Sequence, residues 1–196
     1  MSSNSLNLVM RCAVLVNGYR IEPGAQLSRA NLCQAKLVVA DLTGANLSEA
    51  NLSGADLCGA NLSLTNLAGA HLPLARLVAA YMPFSDLRCA NLQRALLREA
   101  NLAWVDLSGA DLTEAWLERA DLLGANLTRA VLTRARLVGA KLNEAQLCDA
   151  ILRRADLRGA DLRHCDLTGA DLRGANLRGA RLAGARLPDG SRDNQN

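Results

Sequence analysis

From residue 27 to residue 187 every fifth residue is leucine, with Met82 as the one exception: 32 leucines in 33 positions. Two residues ahead of each stands alanine in 29 of 33 cases, the departures being Thr65, Ser85, Val105 and Cys165. The residue between them is Asn or Asp in 19 of 33. A five-letter word, A-(D/N)-L-x-x, therefore holds one register over most of the chain.

A period of five excludes both regular elements as the whole fold. At about 100° per residue, successive leucines on one helix would step by roughly 140° and form no apolar stripe. On one long strand an odd period would send alternate leucines to opposite faces. Within a word, however, Ala and Leu are two apart and point the same way. The chain must run extended through Ala-x-Leu and then bend over two residues, so that the next Ala points inward again.

The bend is legible. Counting Leu, the two residues after it and the next Ala as a four-residue turn, all four prolines (23, 73, 83, 188) fall on its second position. Of 15 glycines, 13 fall on its third. Pro then Gly is the type II signature, since Pro fixes φ and Gly accepts φ > 0. Corners without Gly are expected to draw on other turn types. The irregular positions 65, 85, 105 and 165 differ by multiples of twenty, so four words to a coil would put them in one column, with Leu64, Phe84 and Trp104 stacked beside it.

With these words in view the chain resembles the pentapeptide-repeat proteins over residues 25–187. The resemblance implies an all-β fold, a right-handed quadrilateral parallel β-helix of about eight coils of four pentapeptides, with Leu and Ala inward and the other three positions facing solvent. The flanks "NGYRIEPGA" and "LPDGS" are similar to those of members from photosynthetic bacteria. The expected organisation is an N-terminal capping segment (1–24, folded back at Asn17-Gly18), the β-helix (25–188) and a polar C-terminal tail (189–196). So short a tail leaves the last coil poorly covered, which points to pairing of C-terminal ends in a homodimer.

Composition narrows the chemistry. Half the residues are hydrophobic but only 3% are aromatic, so the core is Leu and Ala and leaves no ligand cavity. Six cysteines (12, 33, 58, 89, 148, 165) form neither CxxC pairs nor a metal spacing. With no leader and no apolar run long enough to span a membrane, the expectation is a cytoplasmic protein without membrane contact. His71 and His164 fall in different columns, and in "HCD" (164–166) Cys165 points inward while its neighbours point out. The glycines are corner residues rather than a phosphate cradle. The middle-position Asp and Asn are expected to hydrogen-bond the coil's own backbone rather than calcium. No catalytic set, cofactor or metal is expected, and the chain does not read as an enzyme.

Two surfaces remain. Tyr81, Phe84 and Trp104 share a side, with Leu64 in the Phe84–Trp104 column, and Leu96 and Trp116 stack on an adjacent side; exposed aromatics of this kind mark partner sites. Local self-packing is the competing reading, as it is for the smaller pair Val131 and Ile151. The second surface is basic: Arg153, Arg158, Arg163, Arg173 and Arg178 crowd the last 46 residues, which carry the net charge of +3. Interleaved Asp156, Asp161, Asp166 and Asp171 favour mutual pairing over nucleic-acid binding. The expected function is a protein-interaction scaffold or regulator of unknown partner. The alternatives are nucleic-acid binding through the Arg columns and a gyrase-binding DNA mimic, as the resemblance offers. Mimicry needs an acidic rod, and this chain is neutral over 1–150 and basic beyond.

Overall fold

The computed structural model describes residues 14–192. Residues 1–13 of the expected cap, Cys12 among them, and residues 193–196 of the tail lie outside the described residues. The chain opens with an antiparallel hairpin of β1 (Val14–Val16) and β2 (Tyr19–Ile21), paired Val14↔Ile21 and Val16↔Tyr19. Asn17 (φ 52°) and Gly18 (φ 83°) both sit at positive φ, as a two-residue type I′ turn requires. Ile21 is buried and Val16 and Tyr19 pack against the core, so the hairpin lies on the first coil. The Tyr19 hydroxyl accepts from the Asn31 amide at 3.3 Å.

Beyond it the chain is a repeat β-helix. Each middle-position residue pairs in parallel with the residue twenty further on, from Gln26↔Asn46 to Asp166↔Arg186. A coil thus takes twenty residues, or four words and four corners. One word shows how every backbone donor is used, an obligation for buried N–H groups. The Asn46 amide donates back to the Ala25 carbonyl (2.9 Å), and those of Leu47 and Glu49 donate forward to Asn66 (2.7 Å) and Ala68 (2.9 Å). Ala50 donates across the corner to Leu47 at 3.0 Å. The remaining donor, Ser48, reaches the Asn46 Oδ1 at 3.1 Å. The same Asx contact recurs at Asn51, Asn61, Asp106, Asp111 and Asp166, which accounts for the Asn/Asp preference in the middle of the word.

The corners correct one expectation. All 33 third positions from 24 to 184 have positive φ, thirteen of them Gly and twenty not. Corners without Gly keep the same turn sign because the ladder fixes it: the third-position amide must point at the next coil. Leu74 (φ 60°) still donates to Gln93 at 3.0 Å. The L-residue cost of the left-handed region is met at twenty corners by the cooperative stack.

Inside, Leu and Ala alternate in closely packed columns, and from Leu42 to Leu167 the inner positions are essentially inaccessible. The two ends differ. Leu172, Ala175, Leu177, Ala180 and Leu182 are only partly buried. The tail turns back, with an Arg186↔Arg192 antiparallel bridge, and covers Ala185 but not those leucines.

Candidate functional site

The four irregular words form one column, as the twenty-residue register demands. A residue larger than Ala at the smaller inner position spreads the corner. The turn hydrogen bond is 3.3 Å at Thr65, Val105 and Cys165, against about 3.0 Å at the regular corners. Buried hydroxyls are satisfied locally: Thr65 donates to the Leu42 carbonyl at 3.1 Å and Ser85 to the Leu62 carbonyl at 3.0 Å. Outward from this spread corner project Leu64, Phe84 and Trp104, at φ 58° in each case. They are 64%, 61% and 49% exposed, and Tyr81 on the preceding flat side is 49% exposed. Trp104 leans along the rod, because a Cβ added to Gly124 would collide with its indole ring. Gly124 leaves room for the ring as well as shaping its own turn.

Leu96 and Trp116 pair in neighbouring coils on the adjacent side, but Trp116 is not an open anchor. The guanidinium groups of Arg98 and Arg136 lie 4.5 and 4.6 Å from its ring centroid. Glu118 holds both arginines, at 3.1 and 2.8 Å. The ring points outward but is half-covered by this assembly: Arg136 stacks on Trp116 in the same column, and Arg98 and Glu118 reach over from the adjoining corner. Val131 and Ile151 stack as a half-buried pair.

The basic columns are largely neutralised. Arg158, Arg163 and Arg173 each fork onto the Asp two residues earlier, at 2.7, 2.6 and 2.7 Å, and Arg153 also engages Asp171. These hydrogen bonds hold the carboxyls of Asp156, Asp161 and Asp171 below the usual range. Among the described residues only Arg178 of the five has no carboxylate within salt-bridge distance. Near His164 a cleft of about 230 Å³ is lined by Cys165, Asp166, Gly184, Arg186 and Arg192. Burial pushes the Cys165 thiol up to about 12, so it offers no thiolate to that cleft. Among the described residues no trio of His, Cys, Asp or Glu is placed to hold a metal ion.

The sequence reading missed Val38 and Val39, which are 49% and 74% exposed. Their register sets them at the corner on the other edge of the flat side that carries Asn61, Tyr81 and Asn101. Two consecutive apolar residues at the outer turn positions were the available signal.

Comparison with known proteins is consistent with this architecture. Pentapeptide repeats are matched in 8 copies over residues 25–63, 60–95, 75–113, 85–122, 115–154 and 150–189. Among solved structures, the chain is 35% identical to HetL, a pentapeptide repeat protein involved in heterocyst differentiation regulation in the cyanobacterium Nostoc sp. strain PCC 7120. That match covers 88% of this chain and 92% of HetL, with a TM-score of 0.56. A thylakoid-lumen pentapeptide repeat protein of Arabidopsis thaliana is 29% identical over 45% of this chain and 66% of its own, with a TM-score of 0.38. QnrB1, a plasmid-mediated fluoroquinolone resistance protein, is 22% identical over 73% of this chain and 82% of its own, with a TM-score of 0.40. No curated protein matches the chain.

Proposed function

This chain belongs to the pentapeptide-repeat family, and on that premise we propose that it is a non-enzymatic, cytoplasmic scaffold that acts by binding another protein. In this reading the rod is a right-handed quadrilateral β-helix of about eight coils, with 1–24 as its N-terminal capping segment and 189–196 as a polar tail. The observation that carries it is the corner of Leu64, Phe84 and Trp104, flanked by Tyr81: four large apolar side chains 49–64% exposed and clustered in consecutive coils. Ridges of that kind serve as anchors when a partner desolvates them. A regulatory role, as HetL has in heterocyst differentiation, is compatible with a rod that presents one surface and carries no chemistry.

The test is affinity capture from source-cell lysate with wild type and with a Tyr81→Ser, Phe84→Gly, Trp104→Ser variant. Circular dichroism first establishes that the variant folds. A partner retained by wild type and lost by the folded variant supports the corner. Equal retention moves the site elsewhere on the rod. Capture that collapses with added salt would favour the Arg columns and their anionic ligands. The partly buried Leu172, Leu177 and Leu182 favour, as a separate feature, a homodimer through the C-terminal ends. Sedimentation of wild type against a Leu177→Glu variant tests it, with loss of the larger species as the expected result.

A further inference from the structure

The exposed apolar residues are not confined to one corner. Of the eight large hydrophobic side chains exposed among the described residues, six lie on or at the edges of one side of the rod: Val38, Val39, Leu64, Tyr81, Phe84 and Trp104. That side runs along the column Asp41, Asn61, Tyr81, Asn101 and Asp121. Between its two corners the chain is Cys58-Gly-Ala-Asn-Leu-Ser-Leu64 in one coil and Val78-Ala-Ala-Tyr-Met-Pro-Phe84 in the next, with no charged residue in either. Charges return at Asp41 in the coil before and at Arg98 and Glu99 in the coil after. Every other side carries a charged residue at these levels, including His71's neighbour Arg76 and the forked Asp86–Arg88 pair. An uncharged window on a rod this rich in coil-to-coil ion pairs is a property of one side only.

Its relief is a shelf. The middle of the side carries Asn61, Tyr81 and Asn101, of which Tyr81 stands out as exposed. Leu64, Phe84 and Trp104 form a raised rim along one edge, and Val39 stands at one end of the other. Beyond Val39 the same corner continues low, through Gly59 and Ala79. From corner to corner the side spans about three extended residues, roughly 10 Å, and three inter-coil steps from Val39 to Trp104 make about 14 Å. A single α-helix is roughly 10–12 Å across, and about ten residues of it cover ~15 Å.

We propose that this charge-free side docks one helix of another protein, about three turns long, through an apolar stripe at i, i+3, i+4 and i+7 without charged residues in it. This rests on the scaffold reading and adds the chemistry of the partner. Because no ion pair forms across the contact, affinity is nearly independent of ionic strength, unlike binding to the Arg columns.

The test places a photo-crosslinking phenylalanine analogue at Ala103 on the full chain, and identifies the captured segment by mass spectrometry from source-cell lysate. The segment is then synthesised and its affinity measured at low and high salt. The expected result is a helix-forming segment with the apolar stripe and a Kd that changes less than about twofold between the two salts. The same peptide should bind Ala79→Arg at least about tenfold more weakly, a substitution that adds a charge at the exposed low corner beside Tyr81. A captured segment that is charged and salt-sensitive overturns this inference and leaves the scaffold reading standing. Cross-linking to a second copy of this chain, or co-flotation with neutral phosphatidylcholine vesicles in place of protein capture, also overturns it. If Ala103 captures nothing while partners are still retained elsewhere on the rod, the shelf is excluded and the scaffold survives; if nothing is retained at all, both fail.

Discussion

Trp104 and Gly124 form the most informative residue pair in the rod. Gly124 (φ 62°) and Gly159 (φ 64°) occupy the same turn position, but only the first has an indole ring over its missing Cβ. Gly159→Ala should therefore lose roughly 1–2 kcal/mol from the left-handed backbone alone. Gly124→Ala should lose clearly more, because the ring must move, and the excess should vanish in a Trp104→Ser background; urea unfolding of the four proteins measures it. Val39 is the opposite case, a β-branched residue at φ 50° and 74% exposed. Branching at Cβ makes that conformation costly, whereas Asn tolerates it. Val39→Asn is expected to raise stability by about 1 kcal/mol, read as a higher urea midpoint with an unchanged slope.

At the scale of the word and the coil, what matters is whether a neighbour lies on both sides. Leu107 is fully buried between coils, while Leu177 is partly open at the C-terminal end. Leu107→Ala should cost about 2–5 kcal/mol, and Leu177→Ala distinctly less, in a direct comparison of chemical denaturation. The same distinction explains what the sequence could convey. Leucine spacing, the Pro and Gly positions and the column of Thr65, Ser85, Val105 and Cys165 are set by the interior, and each had one reading. The uniform positive φ at Leu74 or Glu99 was not legible, since neither residue favours it and only the hydrogen-bonded ladder imposes it. The enclosure of Trp116 by Arg98 and Arg136 was missed for a related reason. It depends on where long side chains lie across columns, and the period fixes only where they begin.

The whole molecule is a one-dimensional stack with unlike ends. The hairpin covers the first coil, and the last coil keeps half-open leucines, so opening should begin at the C-terminus. Native-state hydrogen exchange should find the amides of residues 172–187 exchanging well before those of 47–150; equal protection along the rod would refute this polarity. That end also carries the forked Asp–Arg pairs. Their carboxyls sit below the usual range in the fold, because Arg158, Arg163 and Arg173 hydrogen-bond them, and return to about 3.9 when unfolded. Above that pH both states are ionised and the pairs give no pH dependence. Below it the unfolded chain takes up protons first, so their stabilisation is lost as pH falls through the folded values. The urea midpoint should be flat from about pH 8 to 5 and decline below about 4, less steeply in Arg173→Gln than in wild type.

The uninterrupted pairing of each residue with the one twenty ahead also restricts how a gene for such a rod can change length. Duplication of one word would keep the interior intact and the backbone ladder closed, yet it would rotate everything downstream by a quarter turn. Inserted between Leu67 and Leu77, it would carry Phe84 and Trp104 around to a different side from Leu64 and break the uncharged window without harming the fold. Inserting twenty residues would only lengthen the column. Viable length variants of this protein should therefore differ within the window by whole coils, while single-word changes should be confined to stretches whose outward face has no work to do.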